Sequence, residues 1–119
     1  KILGEDRSVA VSDSMCASGL GDGEYELGGT TVYVKDGKAL LADGTIAAST
    51  TNIFAEFRNI ISFGVPVRQA VKSCTINPAR AIGVDDVTGS IAVGKRADFT
   101  VLSSDLKELE CVYIKGKRI

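Results

Sequence analysis

The sequence predicts an α/β chain, and three observations predict it. Val9-Ala10-Val11 is an unbroken apolar run closed by Ser12-Asp13-Ser14. From Tyr25 apolar and polar residues alternate between Gly-Gly and Asp-Gly pairs, and from Ile53 the apolar spacing lengthens to that of a helix. A short apolar run without alternation suits a strand covered on both faces, as in a parallel sheet, so residues 9–12 are expected to form one. Asp13 and Ser14 then stand at its C-terminal end. Residues 15–24, with Gly19, Gly21 and Gly23, are too rich in glycine for a helix and are expected to be a loop.

Tyr25-Glu26-Leu27, residues 31–35, residues 38–42 and Thr45-Ile46 are the expected strands of a β-meander. Asp-Gly at 36–37 and 43–44 favours the type I′ turn, whose positive φ angles match strand twist. Ser49, Thr50, Thr51 and Asn52 offer several N-caps to a helix with Ile53, Phe57, Ile60 and Ile61 on one face and Gly64 at C′. Pro66 opens a second helix, with Val67, Ala70, Val71 and Cys74 directed inward. A short third helix is expected over 78–82, stopped by Gly83. Beyond it, 84–90 is turn-rich, 98–102 and 109–114 read as strands, and Lys115-Gly116 turns into 117–119. The natural boundary falls near Gly83, between a mixed part, 1–83, and an all-β tail, 84–119.

Composition narrows the function. The 119 residues are 45% apolar and 24% charged, which excludes a disordered or collagen-like chain. A net charge of -1 gives no reason to expect nucleic acid as a partner. No apolar run is long enough to span a membrane, and the first eight residues lack the apolar core of a secretory signal. Cys16, Cys74 and Cys111 are scattered, with no Cys-x-x-Cys pair, which fits a reducing compartment and a cytoplasmic location. All three read as small buried hydrophobes. Cys16 lies in the glycine-rich loop, but without a histidine to lower its pKa it stays a thiol at neutral pH and is rejected as a nucleophile. The chain has no histidine, so neither a Ser-His-Asp triad nor a histidine-ligated metal site exists within these residues alone. No metal ligand is therefore assigned to this chain.

One position looks placed for catalysis. In parallel α/β sheets reactive groups collect at the C-terminal ends of strands, and Asp13 is expected at such an end. The competing role is ordinary: strand-end aspartates commonly cap turns. An aspartate of ordinary pKa, about 3.9, is a feeble base at neutral pH unless something beside it makes water acidic. Other motifs carry less. Gly19-x-Gly21-x-Gly23 is not the dinucleotide fingerprint, and residues 89–95 lack the phosphate-loop spacing. Lys115, Lys117 and Arg118 read as a solvated turn.

Asn77-Pro78-Ala79-Arg80-Ala81-Ile82-Gly83, Gly89-Ser90-Ile91 and Gly94-Lys95-Arg96-Ala97-Asp98-Phe99 resemble the closing segment of amidohydrolase-superfamily enzymes. Ser12-Asp13-Ser14-Met15, Gly23-Glu24-Tyr25-Glu26-Leu27-Gly28-Gly29 and Asp43-Gly44-Thr45-Ile46-Ala47-Ala48-Ser49 narrow the resemblance to the N-acetylglucosamine-6-phosphate deacetylase family. The resemblance implies the C-terminal fragment of a (β/α)8 metal-dependent hydrolase barrel plus strands of a small β-sandwich. Residues 1–83 would supply the last barrel strand, a β-hairpin insertion and the final helices, and 84–119 strands of the sandwich.

By the same resemblance Asp13 is the catalytic aspartate, taking a proton from metal-bound water and passing it to the departing amine. Ile46, Ala47 and Ala48 match a backbone segment that contacts the substrate, where the family more often has glycine at the position of Ala48. The implied reaction is hydrolysis of N-acetylglucosamine 6-phosphate to glucosamine 6-phosphate and acetate. It uses a divalent ion, zinc or similar, held by a glutamate and histidines that these residues lack. A catalytic zinc lowers the pKa of bound water from 15.7 to about 7, so its loss forfeits about 12 kcal/mol of hydroxide formation. The residues alone are accordingly expected to bind no metal and to be inactive, and the parent is expected to be a homodimer.

Two other readings stay open. One is a different amidohydrolase, acting on a cyclic amide or another N-acetyl substrate. The other is a non-catalytic β-rich interaction module whose own reading frame starts near Lys1.

Overall fold

The computed structural model describes residues 4–119, so residues 1–3 of the first predicted segment lie outside the described residues. The chain divides into two compact units, Val11–Glu56 and a second that joins residues 4–10 to Phe57–Ile119. Each has its own sheet.

The first unit is an antiparallel meander of β1 (Gly23–Leu27), β2 (Thr30–Lys35), β3 (Lys38–Leu40) and β4 (Ile46–Ser49), in the order β1-β2-β3-β4. The two-residue turns Gly28-Gly29 and Asp36-Gly37 have positive φ at both positions, as a type I′ hairpin requires. The third expected turn differs. Leu41 N–H donates to Thr45 C=O at 2.8 Å and Gly44 N–H to Leu41 C=O at 2.9 Å, making a longer loop after a bulge between Ala39 and Leu40. β3 therefore stops at Leu40 instead of reaching residue 42, and β4 runs on to Ser49. Period-two burial places Val32 and Val34 in a core with Met15, Ala17, Ala39 and Ala48, while Tyr33 faces out.

Residues 9–12 form no strand. Val11 is 74% exposed. A strand is held by a neighbour's backbone groups, and among the described residues this run meets no adjacent strand along its length.

Helix α1 (Ile53–Ser62) starts where expected, and its cap is Asn52, whose Oδ1 accepts the Ala55 N–H at 3.0 Å. Its end is a Schellman motif, with Gly64 N–H bonded to Ile61 C=O at 2.9 Å and Val65 N–H to Ile60 C=O at 3.3 Å. Helix α2 (Val67–Cys74) follows Pro66, and α3 runs over Ile76–Ala81, two residues earlier than expected. Pro78 is accommodated because first-turn N–H groups have no intrahelical acceptor to lose. Gly83 and Val84 close α3 with a second Schellman pair, to Arg80 C=O at 3.2 Å and Ala79 C=O at 2.9 Å.

The inward face of α2 is also corrected. Ala70 and Ser73 are buried, whereas Val67 and Val71 are substantially exposed. The face is chosen by the preceding segment. Ala10 N–H bonds to Ser73 C=O at 2.9 Å, and buried Asn77 donates through Nδ2 to Glu5 C=O and Ser8 C=O at 2.8 Å each. Lys72 adds contacts to Glu5 at 2.9 Å and Asp6 at 2.7 Å.

The second sheet is β5 (Phe99–Leu102), β6 (Leu109–Ile114) and β7 (Lys117–Arg118), antiparallel in that order. Phe99 and Tyr113, opposite in register, stack at 4.5 Å between ring centres. Gly89 lies against α3 so closely that a Cβ there would stand 2.7 Å from Ala79 Cβ and 3.2 Å from Ile76 Cα, at a φ of +83°. Gly89→Ala therefore introduces both a clash and left-handed strain, and is expected to lower stability by about 1–3 kcal/mol in denaturant titration.

Candidate functional site

Asp13 ends the irregular run with a φ of 51°, outside any two-residue hairpin turn. A non-glycine residue in the left-handed region is uncommon, although aspartate tolerates it better than most. What holds it there is β4. Ser49 N–H donates to Asp13 C=O at 2.8 Å, and Met15 N–H donates to Ser49 C=O at 3.0 Å. These two bonds make the isolated parallel bridge between Ser14 and Ser49. The Ser49 hydroxyl donates to Ser12 C=O, and the Ser14 hydroxyl to Thr51 C=O. Farther along, Ser18 Oγ lies 3.1 Å from Thr50 C=O and 3.2 Å from Thr51 C=O.

The predicted glycine-rich loop is thus tied down at several points. Met15 and Ala17 bury their side chains in the meander core, and Cys16 alternates outward, its Sγ 3.3 Å from Glu26 C=O. Cys16 is exposed and Cys74 and Cys111 are half-buried, so the expectation of three buried cysteines is corrected. Burial pushes the Cys74 thiol pKa up, away from the thiolate, against the opposing pull of the Ser73 hydroxyl.

Ile46, Ala47 and Ala48 make up three of the four residues of β4. Burial rises along the strand: Ile46 is 75% exposed, Ala47 half-buried and Ala48 8% exposed. The Ala48 methyl belongs to the core beside Val32 and Val34. Asp13 and residues 46–48 thus lie in one unit, linked through one strand. Sequence reasoning missed Ser49, grouping it with the N-caps because serine, threonine and asparagine all cap helices. Its position directly after Ile46-Ala47-Ala48 was the available signal.

The tail motif has structural duties. Lys95 Nζ reaches Asp85 C=O and, at 2.7 Å, Ser90 Oγ. Asp98 accepts the Lys115 N–H at 2.8 Å and pairs with Arg96, so it holds the positive-φ turn at Lys115-Gly116. A shallow cleft of about 100 Å³ lies over Ser90, Ile91, Lys95, Arg96, Asp98 and Phe99. Among the described residues no three histidine, cysteine, aspartate or glutamate side chains come together to hold a metal ion. No helix among them is long and apolar enough to cross a membrane.

With this geometry in place, the comparisons give the class: the model of the amidohydrolase family matches residues 30–119, and the chain belongs to that family. The more particular likeness is to amino-sugar-phosphate deacetylases. It is 37% identical over 114 residues to a putative N-acetylgalactosamine-6-phosphate deacetylase of Escherichia coli K12, covering 95% of this chain and 68% of that protein. It is 39% identical over 103 residues to the N-acetylglucosamine-6-phosphate deacetylase of Bacillus subtilis, covering 86% of this chain and 26% of that one. Among solved structures, the N-acetyl-D-glucosamine-6-phosphate deacetylase of Mycobacterium smegmatis superposes with a TM-score of 0.88 at 36% identity, over 97% of this chain and 31% of that one. That structure is an aspartate-to-alanine variant in complex with N-acetyl-D-glucosamine 6-phosphate. The chain spans less than a third of the length of most of these proteins.

The Asp98 carboxyl is held below its ordinary 3.8, first by the Lys115 N–H and then by Arg96, against the opposing pull of burial. A lowered carboxyl contributes stability that is complete above the ordinary value and is lost as pH falls through the lowered one. Asp98→Asn is therefore expected to lower the thermal midpoint near neutrality and to flatten its fall below pH ~4, as read from melting curves between pH 2 and 7.

Proposed function

We propose that these residues are part of a metal-dependent amidohydrolase that removes the acetyl group of N-acetylglucosamine 6-phosphate, releasing glucosamine 6-phosphate and acetate. The observation that carries the reading is the bonding of Asp13 to the strand that bears Ile46, Ala47 and Ala48. Hydrolysis of an acetamide needs a group that takes a proton from the attacking water and returns one to nitrogen as the C–N bond breaks. Asp13 fills that role in this reading, and the backbone of residues 46–48 lies against the sugar. The Ala48 methyl, packed in the core, leaves only its backbone for that contact.

The divalent ion belongs to the proposal with a restriction. Among the described residues no group of donors makes its site, so in this reading its ligands come from other residues, and the role of Asp13 is written without a step through it. The (β/α)8 barrel with a small β-sandwich, residues 1–83 in the first and 84–119 in the second, is the architecture proposed for the whole. A homodimeric cytoplasmic enzyme completes it. Apolar side chains that stand exposed, among them Val11, Phe63, Ile82, Ile91 and Val93, support the view that more protein covers these residues.

N-acetylgalactosamine 6-phosphate is the second reading, favoured by the name of the Escherichia coli relative. The two sugars differ only in configuration at C4. Acetate release from each by the complete enzyme decides between them, with the larger kcat/KM expected for the glucosamine compound.

Asp13→Asn keeps the shape and removes the proton acceptor. Turnover is expected to fall about 10²–10⁴-fold with little change in KM, and near-normal turnover would remove Asp13 from the mechanism. The 119-residue chain alone is expected to release no acetate with or without added zinc; metal-stimulated release would refute its inertness.

A further inference from the structure

We infer that Ser49 is the positioning residue for Asp13, and that β4 sets both the orientation of that carboxylate and its register against the substrate-facing backbone. The inference rests on the proton-transfer role proposed for Asp13 and adds to it a residue that touches neither proton nor sugar.

The argument is geometric. Asp13 is exposed and its φ is positive, so neither core packing nor a hairpin turn dictates its backbone. Left-handed backbone at a non-glycine residue persists where surrounding bonds over-determine it. Ser49 supplies three such bonds on consecutive parts of the segment: its hydroxyl to Ser12 C=O, its N–H to Asp13 C=O, and its C=O from Met15 N–H. They bracket Asp13 on both sides. Ala48 immediately before it is locked in the core opposite Ala39, so the bracket is anchored to a fixed strand. The backbone bonds survive any substitution, whereas the Ser12 contact is made by the side chain alone. A hydroxyl-bearing side chain is therefore what position 49 requires.

The test uses the complete enzyme and measures kcat and KM separately for acetate release from N-acetylglucosamine 6-phosphate. Ser49→Ala is expected to lower kcat roughly tenfold to a hundredfold with KM within about twofold, the scale expected when a reacting group is misplaced by about 1 Å. Ser49→Thr, which restores the hydroxyl, is expected to recover most of kcat. Ser18→Ala, which removes only the hydroxyl contacts to Thr50 C=O and Thr51 C=O and keeps the backbone bond to Met15, is expected to leave kcat nearly unchanged.

A Ser49→Ala enzyme with unchanged kcat, failure of threonine to rescue, or an equal loss in Ser18→Ala would each overturn the inference. Asp13→Asn, run alongside, separates the two claims: if it keeps its turnover the proton-transfer reading fails, and if it loses turnover while Ser49→Ala does not, only the positioning role fails. Should Ser49→Ala not fold, amide hydrogen exchange on the unaltered enzyme decides. Slow exchange at Ser49 and Met15 supports the bracket, and exchange at open-loop rates at both removes it.

Discussion

The free edge of β4 is the constraint around which the first unit is organised. An outer strand presents unpaired N–H and C=O groups, and in a folded chain these have to find partners. β4 pairs with β3 on one side only, and on the other its last residue takes up residues 13–15. That exchange draws Met15 and Ala17 into the core, sets the backbone of Asp13, and turns a glycine-rich stretch into a defined loop. The position proposed for proton transfer and the strand proposed to meet the sugar are thus products of one pairing event.

The second unit shows why a family signature need not be chemical. Asn77 fastens residues 5–8, Gly83 closes α3, Gly89 permits close approach to the same helix, and Asp98 holds the Lys115-Gly116 turn. Each is a position where one residue type meets a geometric demand that its neighbours impose. Such positions make the amidohydrolase family recognisable while saying little about substrate. Asn77 also keeps a buried Oδ1 without a partner, which its two 2.8 Å bonds through Nδ2 offset.

Local chemistry was legible in the amino acids themselves. Asp36-Gly37 specified its turn, residues 49–52 the place of a helix cap, and Gly64 and Gly83 their helix ends, because those rules act within about five residues. The alternation around Val32 and Val34 announced a half-buried sheet for the same reason; the motifs between Asn77 and Asp98 carried the likeness to amidohydrolases, and those between Ser12 and Ser49 the narrower likeness to deacetylases. Tertiary structure alone decided three other matters. The run at residues 9–12 has strand composition but stays irregular, since a strand exists only when another lies beside it. The inward face of α2 went to Ala70 and Ser73 because residues 5–10 dock there. Ser49 looked like one more helix cap and became instead the residue that brackets Asp13, since a hydrogen bond between positions 36 apart is invisible until the chain has folded.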